Sequence, residues 1–319
     1  MVSKNRREFI KKSTLALGAL PFIGFSKNDF FLDNESLNSE LSVNIFSKHL
    51  QFLDYKATGE MAAEMGFSGV DLTVRPKGHI LPENVKTDLP KAINDIRYGG
   101  SKCDMITTNI ESVNNPLDVD IIKTAAQYGI KYYRTNWYKY PKEQSMEDAV
   151  LFYQKEIENL GRLNKELGII GYYQNRSGQK YIGTSFWEIH SLLNTVDTDF
   201  FGLLYDIKHA TLEGGYSWEN GLRLLQDHIK LIVLKDFRWE KVNGVWKDVR
   251  VPIGEGMVNF DKYFKLLKKY KLKPPVSLHF EYPLGGAEYG NREISVDKKV
   301  VFDAMKRDLS TVQKLWLEA

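Results

Sequence analysis

The feature that most constrains the fold is a regular alternation of short β-type runs with longer amphipathic stretches from residue 41 onward. Apolar runs such as "GVDLTV" (69–74) and "FFGLLYD" (200–206) are each followed by a stretch with helical periodicity, and eight such units can be counted. Consecutive parallel strands need a crossover, which a helix supplies, so the alternation predicts a parallel sheet. Eight units over residues 41–319 predict a (β/α)8 TIM barrel in a single domain. A doubly wound open sheet is the alternative, but the first strand is not followed by the G-x-G-x-x-G turn that would favour it.

Composition and charge narrow the range of partners. The 319 residues are 43% apolar and 27% charged, which is ordinary for a globular protein large enough to bury a core. The formal net charge of +3 is nearly neutral and the charges are interspersed, so we expect no nucleic-acid partner. The single cysteine, Cys103, excludes an internal disulfide and falls in a strand-like run, where a buried small side chain is expected.

The first 40 residues differ in character from the rest of the chain. A basic start with Arg6 and Arg7 precedes a short apolar stretch from Leu15 to Phe25, which has signal-peptide proportions and is too short for a membrane-spanning helix. The arginine pair followed by "EFIKK" resembles the twin-arginine export motif. We predict a signal peptide at 1–27, a linker at 28–40 and an exported, periplasmic protein without membrane contact after signal removal. A basic N-terminus with a membrane-binding helix is the alternative.

Polar and ionisable side chains follow most of the predicted strands. In a (β/α)8 barrel the C-terminal strand ends form the rim at which chemistry takes place, so these side chains should converge. In strand order, the candidates are Arg75, Asn109, Trp137, Gln174, Asn175, Arg176, Asp206, His209, Lys235, His279 and Glu281.

Such a set suits the removal of a proton next to a carbonyl group, as in the interconversion of sugar isomers and epimers. That reaction needs a base for the carbon acid and a metal ion or cationic side chain for the enediolate oxygen. Asp206, Glu281 and a histidine can supply the base or bind a divalent metal such as Mn²⁺ or Zn²⁺, while Lys235 can supply positive charge. The side chains suited to holding a polyol by hydrogen bonds and ring stacking are Arg75, Asn109 and Trp137.

Three of these positions have simpler alternatives. Asp206 can cap the loop or helix that follows it, and His209 can bond a backbone carbonyl. His279 faces the same side as Glu281 in an extended strand, so it is either part of the site or a packed inner residue.

The chain also carries the segments "FSKHLQFLD", "YQNRSG", "YDIKHATLEGG" and "HFEY". Together they resemble the xylose isomerase-like sugar phosphate isomerase/epimerase superfamily, over residues 41 to about 316. The resemblance implies a barrel with a divalent metal bound by a Glu, an Asp, a His and a Glu from strands 5 to 8. The Asp falls on Asp206, a nearby family His on His209 and the last Glu on Glu281. The first Glu and the strand 7 His are replaced by Gln174 and Val233, which weakens a metal site.

Two kinds of site therefore stay open. One is a weakened divalent-metal site (Mn, Zn or Mg) whose ligands are Asp206, Glu281, Gln174 and His209. The other is metal-free, with Lys235 and Arg176 stabilising the enolate.

The sequence predicts a sugar isomerase or epimerase that acts on a free or keto sugar through an enediolate. Glu281 is the expected base, His209 a proton relay and Lys235 the electrophile. The expected substrate-binding residues are Arg75, Asn109, Trp137, Asn175, Arg176 and His279. One alternative is a lyase or hydratase on a 3-keto sugar through the same enolate, and another is a non-catalytic sugar-binding barrel. In each case the expected partner is a small-molecule sugar.

Overall fold

Eight parallel strands close into a ring, with helices packed around its outside. The computed structural model describes residues 37 and 39–319, so the predicted signal peptide and most of the predicted linker lie outside the described residues. The ring strands are β1 (Val43–Phe46), β2 (Gly69–Val74), β3 (Met105–Thr108), β4 (Tyr132–Arg134), β5 (Ile170–Gln174), β6 (Phe201–Asp206), β7 (Ile229–Leu234) and β10 (Val276–Leu278). Each pairs with the next in this order, and β10 pairs with β1. The predicted (β/α)8 barrel is confirmed, and the open sheet is excluded.

A helical layer covers the outside of the ring. Over residues 39–319 its α-helices are α1 (Tyr55–Met65), α2 (Val85–Tyr98), α3 (Pro116–Gln127), α4 (Met146–Leu167), α5 (Phe186–Leu193), α6 (Ile207–Gly214), α7 (Trp218–Leu225), α8 (Phe260–Lys269) and α9 (Lys298–Glu318). Local chemistry sets their ends: the Ser145 side chain caps the start of α4, and Gly168 ends that helix in the left-handed conformation. No helix in the described part of the chain combines the length and apolar character needed to cross a membrane.

Successive side chains of each strand alternate between the helical layer and the interior of the ring. Tyr173 and Ile232 belong to the large core beneath the helices. A separate small apolar cluster fills the ring, and its buried members are Met105, Tyr172, Leu204, Leu231 and Val233. Two residues further along β5, β6 and β7, the inward positions are Gln174, Asp206 and Lys235. The interior therefore changes from apolar to charged toward the C-terminal strand ends.

A β-hairpin extends from the rim between β7 and α8. Its strands, β8 (Asp236–Val242) and β9 (Val245–Val251), pair in antiparallel fashion. Asn243 and Gly244 join them with φ angles of 51° and 81°, the pair of positive values that a two-residue type I′ turn requires. The hairpin is not among the eight predicted units, although an Asn-Gly pair between alternating runs is a strong hairpin signal.

The Asp236 carboxylate holds the base of this hairpin against the loop that precedes α8. Its Oδ1 accepts hydrogen bonds from the backbone N–H groups of Phe237 (2.8 Å) and Val258 (3.1 Å). Its Oδ2 accepts from those of Gly254 and Gly256, both at 3.0 Å. The Asp236 side chain therefore binds the loop that precedes α8, while the preceding residue, Lys235, faces the interior of the ring.

We expect Asp236→Ala to lower the free energy of unfolding by about 3 kcal/mol or more, because four backbone donors lose their acceptor and each unpaired buried donor costs roughly 1–3 kcal/mol. Asp261→Ala, on the exposed side of α8, is the matched control and should stay within about 0.5 kcal/mol of the wild type. Urea denaturation of the three proteins measures the difference. Equal midpoints for both variants would contradict this role of Asp236.

Candidate active site

A cavity of about 260 Å³ opens at the C-terminal end of the ring. Its walls come from residues on or just after the ring strands and from the β8–β9 hairpin. The lining residues are Phe46, Lys48, Arg75, Thr107, Arg134, Trp137, Gln174, Arg176, Leu204, His209, Lys235, Arg250, His279 and Glu281. This is the rim at which barrels of this type carry their chemistry.

The Lys235 ammonium group lies at the centre of the polar cluster in this cavity. Its Nζ is 3.0 Å from Asp206 Oδ2 and 3.4 Å from Glu281 Oε1. It also lies 3.1 Å from Nε2 of His209. Because an ammonium group can only donate, the imidazole Nε2 accepts this hydrogen bond and carries no proton. One cation therefore links two carboxylates and an imidazole, and the four groups come from three connections of the barrel, those after β6, β7 and β10.

The remaining contacts of His209 fix its tautomer. The imidazole Nδ1 lies 2.6 Å from Ser177 Oγ, so Nδ1 carries the proton and donates it to the hydroxyl. Burial lowers the pKa of His209 well below its ordinary value, which agrees with a neutral ring at neutral pH.

Both carboxylates of the cluster are ionised. Burial raises the pKa of Glu281, but the Lys235 ammonium outweighs this effect and holds that pKa well below the usual glutamate range. Burial likewise opposes ionisation of Asp206, but the positive charge and the hydrogen bond of Lys235 act in the opposite direction, and the pKa of the carboxyl lies below its ordinary value. Asp206 is fully buried, whereas the Glu281 side chain retains 23% exposure to the cavity. Glu281 is therefore the carboxylate that a bound molecule can reach.

Asp206 is both a member of the polar cluster and a helix cap, which are the two roles that the sequence left open for it. It is the last residue of β6 and the N-cap of α6, and its Oδ1 accepts a hydrogen bond from the backbone N–H of His209 (3.2 Å). Its Oδ2 meanwhile contacts Lys235. The cap places His209 in the first turn of α6, directly above its own strand.

The predicted substrate-binding residues divide into two groups. Arg75, Trp137, Arg176 and His279 line the cavity. Asn109 and Asn175 do not. The Asn175 side chain instead brackets the backbone of Asp206: Oδ1 accepts from its N–H at 2.7 Å, and Nδ2 donates to its carbonyl oxygen at 3.0 Å.

The donor set does not fit a divalent metal. The candidate ligands Asp206, His209 and Glu281 are brought together, but around the Lys235 ammonium at hydrogen-bond distances. Gln174 presents Nε2 to Asp206 Oδ2 (2.8 Å), because its Oε1 accepts from Arg134 Nη1 (3.2 Å) and an arginine can only donate.

At the position where the family resemblance implies a strand 7 histidine, Val233 belongs to the apolar cluster inside the ring. Across residues 39–319 no group of three or more His, Cys, Asp or Glu side chains is arranged to hold a metal ion. Of the four residues in the weakened metal site expected from the sequence, Asp206, Glu281 and His209 contact the Lys235 ammonium and Gln174 contacts Asp206 and Arg134. That metal site stays a prediction, which this arrangement does not favour.

Sequence reasoning assigned no role to three cationic residues of the cavity. Lys48 follows β1, Arg134 is the last residue of β4 and Arg250 lies in β9. Counting every second residue along β1 and β4 identifies the first two. Arg250 becomes visible only once the Asn-Gly turn is recognised as the tip of a hairpin, since its strand then returns to the rim.

Comparison with solved structures supports the fold. A xylose isomerase-like TIM barrel protein from Mycobacterium smegmatis in complex with magnesium superposes with a TM-score of 0.61 at 11% identity, covering 86% of this chain and 99% of that one. For 3-keto-D-glucoside 4-epimerase from E. coli the TM-score is 0.63 at 12% identity, with 85% and 100% covered. For a probable 3-DHS dehydratase from Bacillus anthracis it is 0.63 at 13% identity, with 85% and 98% covered.

A search of curated protein sequences gave no significant match. The family model described as xylose isomerase-like TIM barrel matches residues 117–295, which is more than half of the chain. The protein therefore belongs to the xylose isomerase-like TIM barrel family.

Proposed function

We propose that the protein is a sugar isomerase that removes a proton next to a carbonyl group and stabilises the resulting enediolate without a metal. The observation that carries this proposal is the Lys235 ammonium, held 3.4 Å from the accessible carboxylate of Glu281 at the floor of a sugar-sized cavity. A base beside a fixed positive charge is the minimum that enolate chemistry requires. The fold relationship to an epimerase acting on a keto sugar is consistent with this reaction class.

In this mechanism Glu281 takes the proton from the substrate carbon. The Lys235 ammonium lies next to the carboxylate and faces the position where negative charge develops on the substrate oxygen. Because Asp206 is fully buried and holds Lys235 from below, the ammonium does not have to reorganise when that charge appears. His209, neutral and fixed by Ser177, accepts a hydrogen bond from Lys235 through Nε2 and so orients the ammonium group, which can donate a proton to the substrate oxygen and regain it when the product forms.

The arrangement favours a single base. Glu281 is the one carboxylate among the lining residues, which all belong to the described part of the chain. The opposite wall carries Arg75, Arg134 and Arg176, whose guanidinium groups cannot accept a proton at neutral pH. Glu281 would therefore remove and return the proton on the same face, which suits aldose–ketose isomerisation better than a two-base epimerisation.

A lyase or dehydratase is the second candidate. Elimination needs the same proton abstraction, plus an acid that protonates the departing oxygen. Lys235 donates hydrogen bonds and is coupled to His209, so it can act as that acid. The barrel of the probable 3-DHS dehydratase has the same fold.

We also propose that the protein is exported by the twin-arginine route, on the strength of Arg6, Arg7 and the apolar stretch that follows. Replacing both arginines with lysine keeps the charge and removes the motif, so the variant should accumulate in the cytoplasm while the wild type reaches the periplasm. Cell fractionation followed by immunoblotting measures the distribution. Equal export of the two proteins would argue for a different route.

Glu281→Gln should reduce proton exchange into the substrate by at least about 100-fold, because it removes the base and keeps the shape of the side chain. The measurement is deuterium incorporation from heavy water, followed by NMR over a panel of aldoses, ketoses and 3-keto sugars. Glu60→Gln, on the surface of α1, is the matched control and should exchange at the wild-type rate. Exchange that persists in Glu281→Gln would rule out this carboxylate as the base. Saturable sugar binding without any exchange in the wild type would instead indicate a non-catalytic binding protein.

Lys235→Met should abolish exchange, whereas prolonged treatment of the wild type with a chelator should leave the rate unchanged, since Lys235 supplies the positive charge. The variant should also unfold more easily, by about 3–5 kcal/mol, because Asp206 keeps a buried charge without its partner. Lys235→Arg retains a cation and separates loss of charge from loss of shape. Inactivation by chelator with recovery on adding Mn²⁺ or Zn²⁺ would contradict the metal-free mechanism.

A further inference from the structure

The cavity carries far more positive than negative charge. Its lining, all within residues 39–319, includes one carboxylate, Glu281, and a larger cationic set. That set consists of Lys48, Arg75, Arg134, Arg176, Lys235 and Arg250. The proposed reaction accounts for only one of these cations, Lys235, so the remainder need another explanation.

On one side of the cavity the cations are neutralised. Lys235 contacts Asp206 and Glu281, as described above. Arg250 lies 3.2 Å from Asp248 and 3.6 Å from Glu281. These groups come from β6, β7, the hairpin and the segment after β10, so this half of the rim contains balanced ion pairs around the reacting position.

On the other side the guanidinium groups have no anionic partner. Arg75, Arg134 and Arg176 come from β2, β4 and β5, and none forms an ion pair within 4 Å with a carboxylate of the described residues. Arg134 donates only to neutral acceptors, the Gln174 carbonyl oxygen and the backbone carbonyl of Thr108, both at 3.2 Å.

Asp71 attracts Arg75 and Arg134 electrostatically but forms no ion pair within 4 Å with either of them. Asp71 is buried in the ring, where its carboxylate accepts hydrogen bonds from the Thr107 hydroxyl (2.9 Å) and the Ser277 hydroxyl (2.6 Å). Burial raises the pKa of Asp71, and its carboxylate is engaged by the two hydroxyl groups instead of by a guanidinium group.

Aromatic packing fixes the orientation of two of these guanidinium groups. Trp137 lies between them, with the Arg134 carbon Cζ 4.0 Å and the Arg176 Cζ 3.9 Å from its ring centroid. Arg176 also stacks on Tyr181 at 4.4 Å. The rings occupy the faces of both groups, and Arg134 already uses Nη1 and Nη2 for Gln174 and Thr108. The Nε atoms of Arg134 and Arg176 are buried and lack a hydrogen-bond partner among the described residues, so each arginine keeps at least one unsatisfied donor.

Three neighbouring guanidinium groups without a counter-ion repel one another, and their burial adds a desolvation cost. Burial lowers the pKa of Arg134, and the charges of Arg75 and Arg176 lower it further, while the charge of Asp71 acts in the opposite direction. An anion bound among them would relieve both costs. Arginine forks match the paired oxygens of carboxylate, sulfate and phosphate groups, to which they form charge-assisted hydrogen bonds.

We propose that the substrate is an acidic sugar, whose carboxylate, sulfate or phosphate group binds to Arg75, Arg134 and Arg176 while its reacting carbon lies between Lys235 and Glu281. The inference rests on the proposed function for the position of the reacting carbon. The anion site itself depends only on the charges of the opposite wall.

Calorimetric titration of the wild type with matched sugars tests this proposal. The probes are D-glucuronate, D-glucose 6-sulfate and D-glucose 6-phosphate against D-glucose, with D-galacturonate against D-galactose. At least one acidic sugar should bind about tenfold or more tightly than its neutral partner, since hydrogen bonds between ionised groups are among the strongest in binding sites. The acidic sugar that binds most tightly identifies the group. Equal affinity across every pair, or preference for the neutral sugars, would overturn the proposal.

Arg75→Gln and Arg176→Gln should each reduce the preference for the acidic sugar by about tenfold or more. Two independent variants are used so that the test still stands if one of them fails to fold. Arg223→Gln, on the exposed face of α7, is the matched control and should retain the wild-type preference. Acid preference that survives both cavity variants would place the anion elsewhere and contradict the assignment.

Deuterium exchange on the same sugars keeps the two proposals apart. Preferential binding of acidic sugars without deuterium exchange would contradict only the enzymatic function. Deuterium exchange without that preference would contradict only the anion site.

Discussion

The site depends on one interaction, the hydrogen bonding of the Lys235 ammonium to Asp206, Glu281 and His209. It compensates the buried charge of Asp206, keeps Glu281 ionised beside the cavity and sets the tautomer of His209. If Asp206, Glu281 or His209 is removed instead, the Lys235 ammonium keeps at least one of its two carboxylate partners. Removing Lys235 leaves the fully buried Asp206 without its ion-pair partner, an arrangement that buried sites tolerate poorly.

The two-residue period of the strands explains how the barrel builds this arrangement. Inward positions are apolar deep in the ring and polar at the rim, so β5, β6 and β7 each carry an apolar residue below a polar one. The polar layer then divides across the ring. Balanced ion pairs occupy the side formed by β6, β7 and β10, and uncompensated guanidinium groups occupy the side formed by β2, β4 and β5. Charge asymmetry across a single cavity is what a substrate with one anionic end and one reacting end would need.

Much of the barrel was predictable because its signals are local, whereas the site was predictable only in part. Asp206, His209, Lys235 and Glu281 follow apolar runs, and strand parity places them together. Parity also distinguishes Gln174, which faces inward, from Asn175, which brackets the backbone of Asp206. The sequence alone does not show which charged side chains form pairs with one another. A ligand set that resembles a metal site is centred on an ammonium group here, and only coordinates show which atom lies at the centre.

A crystal structure of the protein grown with Mn²⁺ tests this account most directly. Anomalous scattering at the manganese edge distinguishes the metal from an ammonium group. We predict no anomalous peak among the carboxylates of residues 206 and 281 and the imidazole of residue 209, with the lysine nitrogen of residue 235 within hydrogen-bond distance of all three. A strong peak at their centre, with the lysine side chain displaced, would show that a metal does the work assigned here to Lys235.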